Sequence, residues 1–85
     1  MQENAFTMQV HDKQTFIAFL KAFHADFQKN PDHWENNTLE AFLESLAAYA
    51  ENIQSFYDNL ELAIDVDKPS WRVFADMLKG ASTYE

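Results

Sequence analysis

Apolar residues recur at three- and four-residue steps in three stretches of this chain, the spacing of helices that each bury one side. In the first stretch Phe16, Phe19, Leu20, Phe23 and Phe27 form one stripe. Asp12 or Thr15 can cap its start, since either side chain accepts a bond from a first-turn backbone N–H. The helix runs to about Gln28 and is closed by Asn30-Pro31, because proline disfavours helical geometry in the residue before it. The second helix opens at Asn36-Asn37-Thr38, where Asn37 and Glu40 have the spacing of a capping box. Its core stripe is Leu39, Phe42, Leu43, Leu46, Tyr49 or Ala50, and Ile53. The third starts at Pro69, presents Trp71, Phe74, Ala75 and Leu78 to a core, and stops at Gly80.

Two short segments alternate with a period of two. Phe6, Met8 and Val10 stand on one side of Ala5 to Val10, and Leu60, Leu62, Ile64 and Val66 on one side of Leu60 to Val66. A strand needs a partner. The pattern therefore predicts a mostly α, three-helix small domain, with a short N-terminal strand or a two-stranded accessory ribbon as an open addition.

With 85 residues the chain holds one domain, residues 1–85, and no second core. Chains of this size need staples or a rich core. Aromatic residues make up 15% of the sequence, and each buried ring contributes about 2–3 kcal/mol from apolar area. The absence of Cys excludes a disulfide framework, a thiolate metal site and a cysteine nucleophile. Met1 to Val10 lacks the positive and apolar regions of a signal peptide, and no apolar run reaches membrane-spanning length, so a cytoplasmic protein is expected.

Net charge is −8, which argues against nucleic acid and anionic membrane as partners. The charge is unevenly placed. Lys13, Lys21 and Lys29 balance Glu3, Asp12 and Asp26, whereas the segment from Pro31 to Asp67 carries acids and no Lys or Arg. Within it, Glu40, Glu44, Glu51 and Asp58 fall in one narrow sector of the second helix, opposite its core stripe, if that helix continues to Asp58. Uncompensated like charges at i, i+4 destabilise a helix by roughly 0.2–0.5 kcal/mol per pair. A cationic partner would reward the arrangement, and a plain solvated face explains it as well.

Catalytic parts are not found. Gly80 is the only glycine, which excludes a phosphate-binding loop, and Ser45, Ser55, Ser70 and Ser82 lie in helical patterns without a nucleophile elbow. His33 and Glu35 have the residue types for a metal, with His11 and His24 elsewhere, but no pair has the i, i+4 spacing of a helical zinc motif. His24 on a helix flank and His33 in a loop are read as solvated. Asp65-Val66-Asp67 lacks the glycine and glutamate of a calcium loop. No cofactor and no metal are expected.

Phe16 to Leu20, Trp34-Glu35-Asn36 followed by Leu39, Phe42, Leu43 and Glu44, Tyr57-Asp58-Asn59, Pro69-Ser70-Trp71 with Phe74, Ala75 and Leu78, and Tyr84-Glu85 together resemble an uncharacterised family of small bacterial domains of unknown function. The resemblance spans most of the chain from Phe16 and implies no activity. In that context Trp34 is read as closing the core, with Asn36 and Asn59 serving backbone groups at helix ends. A second likeness is confined to one helix. Leu39-Glu40-Ala41-Phe42-Leu43-Glu44-Ser45-Leu46, preceded by Glu35-Asn36, is similar to the inhibitory helix of the barstar family, acidic inhibitors of a basic ribonuclease. That likeness implies an α+β alternative for the fold and acids at Glu40 and Glu44, although the chain has an extra residue before Leu39 and ends where a last strand should follow.

The expected function is that of a small acidic protein-binding module without enzymatic activity, in its sharpest form an immunity-type inhibitor of a cationic toxin domain. Its contact residues would be Glu35, Glu40, Glu44, Glu51 and Asp58, and its partner a basic protein. The alternative is a structural or interaction subunit, most simply a homodimer, that buries leftover aromatic surface such as Phe56, Tyr57 or Val73. A third class, a metal-dependent enzyme using His33 and Glu35, would require bound metal.

Overall fold

A computed structural model describes residues 7–84. The elements in order are α1 (Lys13–Lys29), a single 3-10 turn (Pro31–His33), α2 (Leu39–Asn59) and α3 (Trp71–Ala81). Among the described residues there is no strand. Ala5 and Phe6 of the proposed N-terminal strand lie outside them, and residues 7–9 form a turn closed by Val10 N–H donating to the Thr7 carbonyl at 3.0 Å.

The caps show why the helices begin where they do. Asp12 caps α1 by accepting from Thr15 N–H at 2.8 Å, and Thr15 Oγ1 accepts in return from Asp12 N–H at 3.0 Å, so both candidate residues act in one reciprocal box. For α2 the cap is Thr38, which accepts from Ala41 N–H at 3.1 Å, not Asn37. With the start one residue later, the third helical position is Ala41, which has no side chain to complete a box. Ser70 caps α3 through Val73 N–H at 3.1 Å, so Pro69 precedes the cap instead of opening the helix.

The shortest helix is the central one. α3 packs against both α1 and α2, while the backbones of α1 and α2 make no close approach to each other. Between α1 and α3 lies a cluster of Val10, Phe19, Phe23 and Ala75, closed by Phe16, Trp34, Phe42 and Leu78. Between α2 and α3 lies a second, of Ile53, Tyr57 and Val73, closed by Tyr49, Phe56, Leu62, Ile64, Val66 and Met77. A helix sandwiched in this way is buried on two sides, and the single stripe expected for it needs correction. Val73 and Ala75 are buried, whereas Trp71 and Phe74 are 38% and 42% exposed. Tyr57 and Val73 are fully buried and Phe56 half-buried, so they do not form the apolar dimer surface expected of them.

One buried carboxylate joins the layers. Asp76 on α3 accepts from Tyr57 Oη of α2 at 2.5 Å, from Thr7 Oγ1 of the N-terminal turn, and from Arg72 Nε one turn earlier at 3.4 Å. Burial holds Tyr57 well above the usual tyrosine range, and the Asp76 carboxylate adds to the effect. Burial also pushes Tyr49 up to about 12, with Asp76 contributing.

Leu60 to Val66 keeps its two-residue alternation but does not pair as a strand. Leu62, Ile64 and Val66 face the second cluster, and Gln54 of α2 takes the part of a neighbouring strand. Its Nε2 donates to the Ile64 carbonyl at 2.8 Å and its Oε1 accepts from Val66 N–H at 3.1 Å. The segment leaves α2 through a Schellman turn in which Leu62 N–H donates to the Tyr57 carbonyl and Glu61 N–H to the Asp58 carbonyl, both at 3.0 Å. Glu61 occupies the left-handed position of that turn, φ 57°. At the other end of the domain Asn36 Nδ2 donates to the carbonyls of Ala81 and Tyr84 at 2.9 and 2.6 Å, satisfying the end of α3, whereas among the described residues Asn59 makes no such bond. Gly80 lies inside α3 without a positive φ, and its role is close approach: a Cβ there would stand 2.3 Å from the Tyr49 ring.

Glycine substitutions should therefore have opposite signs at two sites. Glu61→Gly should raise unfolding free energy by about 1 kcal/mol, because a side chain in the left-handed region is strained. Gly80→Ala should lower it by about 1–3 kcal/mol, the overpacking against Tyr49 outweighing alanine's better helix propensity. Urea melts of both variants check this. Raised folded-state pKa values also carry a sign. Stability from Tyr49 and Tyr57 is fully present below the unfolded tyrosine pKa and is lost as pH rises above it. Phenolate absorbance at these two residues should appear together with loss of helical circular dichroism, not before it.

Candidate functional site

The carboxylate stripe on α2 forms as expected. Taking roughly 100° per residue, Glu40, Glu44, Glu51 and Asp58 fall within about 40° of one another. The stripe extends for roughly 27 Å along the axis at 1.5 Å per residue. All four side chains are exposed, and α2 contains no Lys or Arg. Among the described residues no cation lies within ion-pair distance of any of them, and the one side-chain bond they receive is from Gln54 Nε2 to Asp58 Oδ1 at 3.1 Å. Glu40 stands in the first turn of α2, where the helix dipole favours a negative charge. Glu44 and Glu51 have no such compensation. Glu35 is exposed in the loop before the helix, so the structure does not place it on the stripe.

Beside the stripe runs a feature that the sequence pattern had assigned to the core. Leu39 and Leu43 are 75% and 52% exposed, each at the rim of a groove that α2 forms with a neighbouring helix. Leu39 borders an open groove of about 310 Å³ shared with Leu20, Phe23, Phe27, Trp34 and Phe42. Leu43 borders a second, of about 390 Å³, with Leu46, Ala47, Ala50, Phe74 and Leu78 between α2 and α3. Apart from Met8, every large apolar side chain that is exposed among the described residues belongs to this surface: Leu20, Leu39, Leu43, Phe74 and Trp71. Each link is local. Leu20 and Leu39 share the first groove, Leu39 and Leu43 are one turn apart, Leu43 and Phe74 share the second groove, and the Phe74 and Trp71 rings meet at 6.3 Å.

The floor under this surface is aromatic. The Trp34 ring packs on Phe23, Phe27 and Phe42 with centroids 4.5, 5.0 and 6.0 Å away, closing the core as expected. Its indole N–H donates to Asp26 Oδ2 at 2.8 Å, and this bond holds the Asp26 carboxyl below the usual range. The three histidines are exposed; His33 and Glu35 sit in the connection before α2, and among the described residues no group of three or more His, Asp or Glu is placed to hold a metal ion.

The family of unknown function DUF7660 matches residues 12–85. The chain belongs to this family. No curated protein and no solved structure matches it. The DUF7660 match begins at the Asp12 cap of α1 and takes in all three helices, so the stripe and the apolar surface both lie within it. Among the described residues, no helix is long and apolar enough to cross a membrane.

Exposure decides what the leucines contribute to folding. Leu39→Gln and Leu43→Gln, alone or together, should change unfolding free energy by no more than about 0.5 kcal/mol each, whereas Phe23→Ala in the aromatic floor should cost about 3–5 kcal/mol. Thermal melts of these four variants separate a surface pair from a core residue.

Proposed function

We propose that this chain is a small acidic protein-binding module whose α2 carboxylates dock a cationic protein partner. The observation that carries the reading is the four-residue stripe on a helix without a single cation, exposed along its whole length. A protein that needed only solubility gains nothing from aligning these charges, since interspersed signs would stabilise the helix. Aligned carboxylates steer a positive partner into one orientation and speed its approach. In its sharpest form the module is an immunity-type inhibitor whose acids occupy positions at which a cationic toxin domain would bind phosphates. Glu40, Glu44 and Glu51 are the central contacts, Asp58 the far end, and Glu35 a flanking charge from the loop.

The competing reading is a homo-oligomer held by apolar surface, and salt separates the two. Capture from native lysate at low and high salt, with wild type beside Glu40→Lys/Glu44→Lys, should return a basic protein that is lost in the variant and weakened by salt. A partner retained by the charge-reversed variant would overturn the acidic-face reading. Self-association strengthened by salt would replace it with the oligomer.

A further inference from the structure

The apolar surface and the carboxylate stripe lie on neighbouring sectors of one helix. Taking roughly 100° per residue, Leu39, Leu43, Ala47 and Ala50 span about 80° of α2, and the acids occupy the next 60° or so on the side away from the core. Apolar positions have a carboxylate one turn away on the adjoining sector: Glu40 beside Leu43, and Glu44 and Glu51 beside Ala47. Ala47 and Ala50 are small, which lets another backbone come close along the α2/α3 groove.

We propose that this surface is a helix-docking face, and that its occupant is a basic amphipathic segment of another protein. That segment presents apolar residues at i, i+3 or i+4 and i+7 to the groove, with Lys or Arg along one adjoining edge. The inference rests on the acidic-module reading and adds the partner's chemistry to it. Charge complementarity selects the occupant. A helix seated between Leu43 and Phe74 carries its flanking positions over Glu40, Glu44 and Glu51, where cations pair with otherwise unpaired carboxylates at the edge of a region that excludes water. A second copy of this chain is a poorer occupant. A two-fold contact puts the same patch on both sides, so it brings together two molecules that each carry a net charge of −8 and offers no Lys or Arg from α2 to either stripe. Nucleic acid and anionic lipid are repelled by the same carboxylates.

The test uses three synthetic peptides of about four helical turns. One carries leucines at helical spacing flanked by lysines, one replaces the lysines with glutamates, and one keeps the first composition but scatters the leucines. Binding is measured by calorimetry and mapped by amide and methyl chemical shifts. The expected result is binding of the first peptide only, with shifts centred on Leu39, Leu43 and Phe74. Leu39→Ser/Leu43→Ser should weaken it at least about tenfold, and Glu40→Gln/Glu44→Gln several-fold with loss of salt sensitivity. Melting curves establish that both variants remain folded. Binding that depends on the glutamates but not on the leucines would leave the acidic module standing and overturn the docking face. Binding that depends on the leucines but is equal for lysine and glutamate peptides would overturn the basic occupant. Sedimentation that shows a dimer dissociated by Leu39→Ser/Leu43→Ser would make a second copy the occupant. Failure of the first peptide to bind would overturn the proposal outright.

Discussion

The buried carboxylate of Asp76 is the interaction on which the arrangement of the layers depends. An ionised carboxylate out of water is costly unless its oxygens are paired, and breaking one pairing costs several kcal/mol. Asp76 is paired with groups from three parts of the chain: Tyr57 from α2, Thr7 from the N-terminal turn and Arg72 from its own helix. These bonds set the rotation of α3 about its axis relative to α2. With Asp76 turned toward Tyr57, Val73 enters the α2 cluster, Ala75 on the opposite side enters the α1 cluster, and Trp71 and Phe74 are carried outward. The exposed rings are a consequence of where the buried acid points.

The same placement explains the open groove. An 11-residue helix between a 17-residue and a 21-residue helix cannot cover the full length of either. α1 and α2 are kept apart by α3, and across the gap the Phe23 and Phe42 rings meet with centroids 6.3 Å apart. Leu39 and Leu43 stay exposed at the rims of the grooves that the first turns of α2 form with α1 and α3, while its later half is sealed by Ile53, Tyr57 and the segment that Gln54 holds down. Burial is concentrated at one end of α2 and exposed apolar surface at the other. Large exposed apolar side chains gathered on one surface of so small a domain mark contact sites far more often than scattered ones do.

Helical periodicity and cap chemistry made much of this legible from the chain alone: three helices, a start at Asp12 or Thr15, and the stop at Asn30-Pro31; Trp34 as a core plug came with the family resemblance. What stayed hidden has a common cause. Periodicity identifies an apolar side of a helix but not what lies opposite it, so Leu39 and Leu43 read as core although they stand exposed at groove rims. It also averages over two-sided burial, so Val73 was taken for surface on a helix that is buried twice. Asp76, four residues after Arg72, has the signature of a surface ion pair, and nothing local marks it as buried. Leu60 to Val66 shows the reverse case. Its alternation did report an extended segment with one buried side, but a glutamine replaced the partner strand that alternation implies. The carboxylate stripe was visible because it depends on one helix only.

Stripe and apolar surface strengthen each other in a way that neither does alone. Carboxylates in open water contribute little when they pair with a cation, commonly well under about 1 kcal/mol. At the border of an apolar contact the effective dielectric falls once a partner excludes water, and the same pairs become stronger and more dependent on register. An apolar groove alone would be undiscriminating and open to self-association, while a charged stripe alone would be fast to engage but weak in salt. In the proposed docking, the leucines on α2 would give residence and the neighbouring glutamates approach and orientation. On the proposed reading, the net charge of −8 carried by every copy would oppose pairing of this exposed surface with itself and leave Leu39 and Leu43 to a cationic partner.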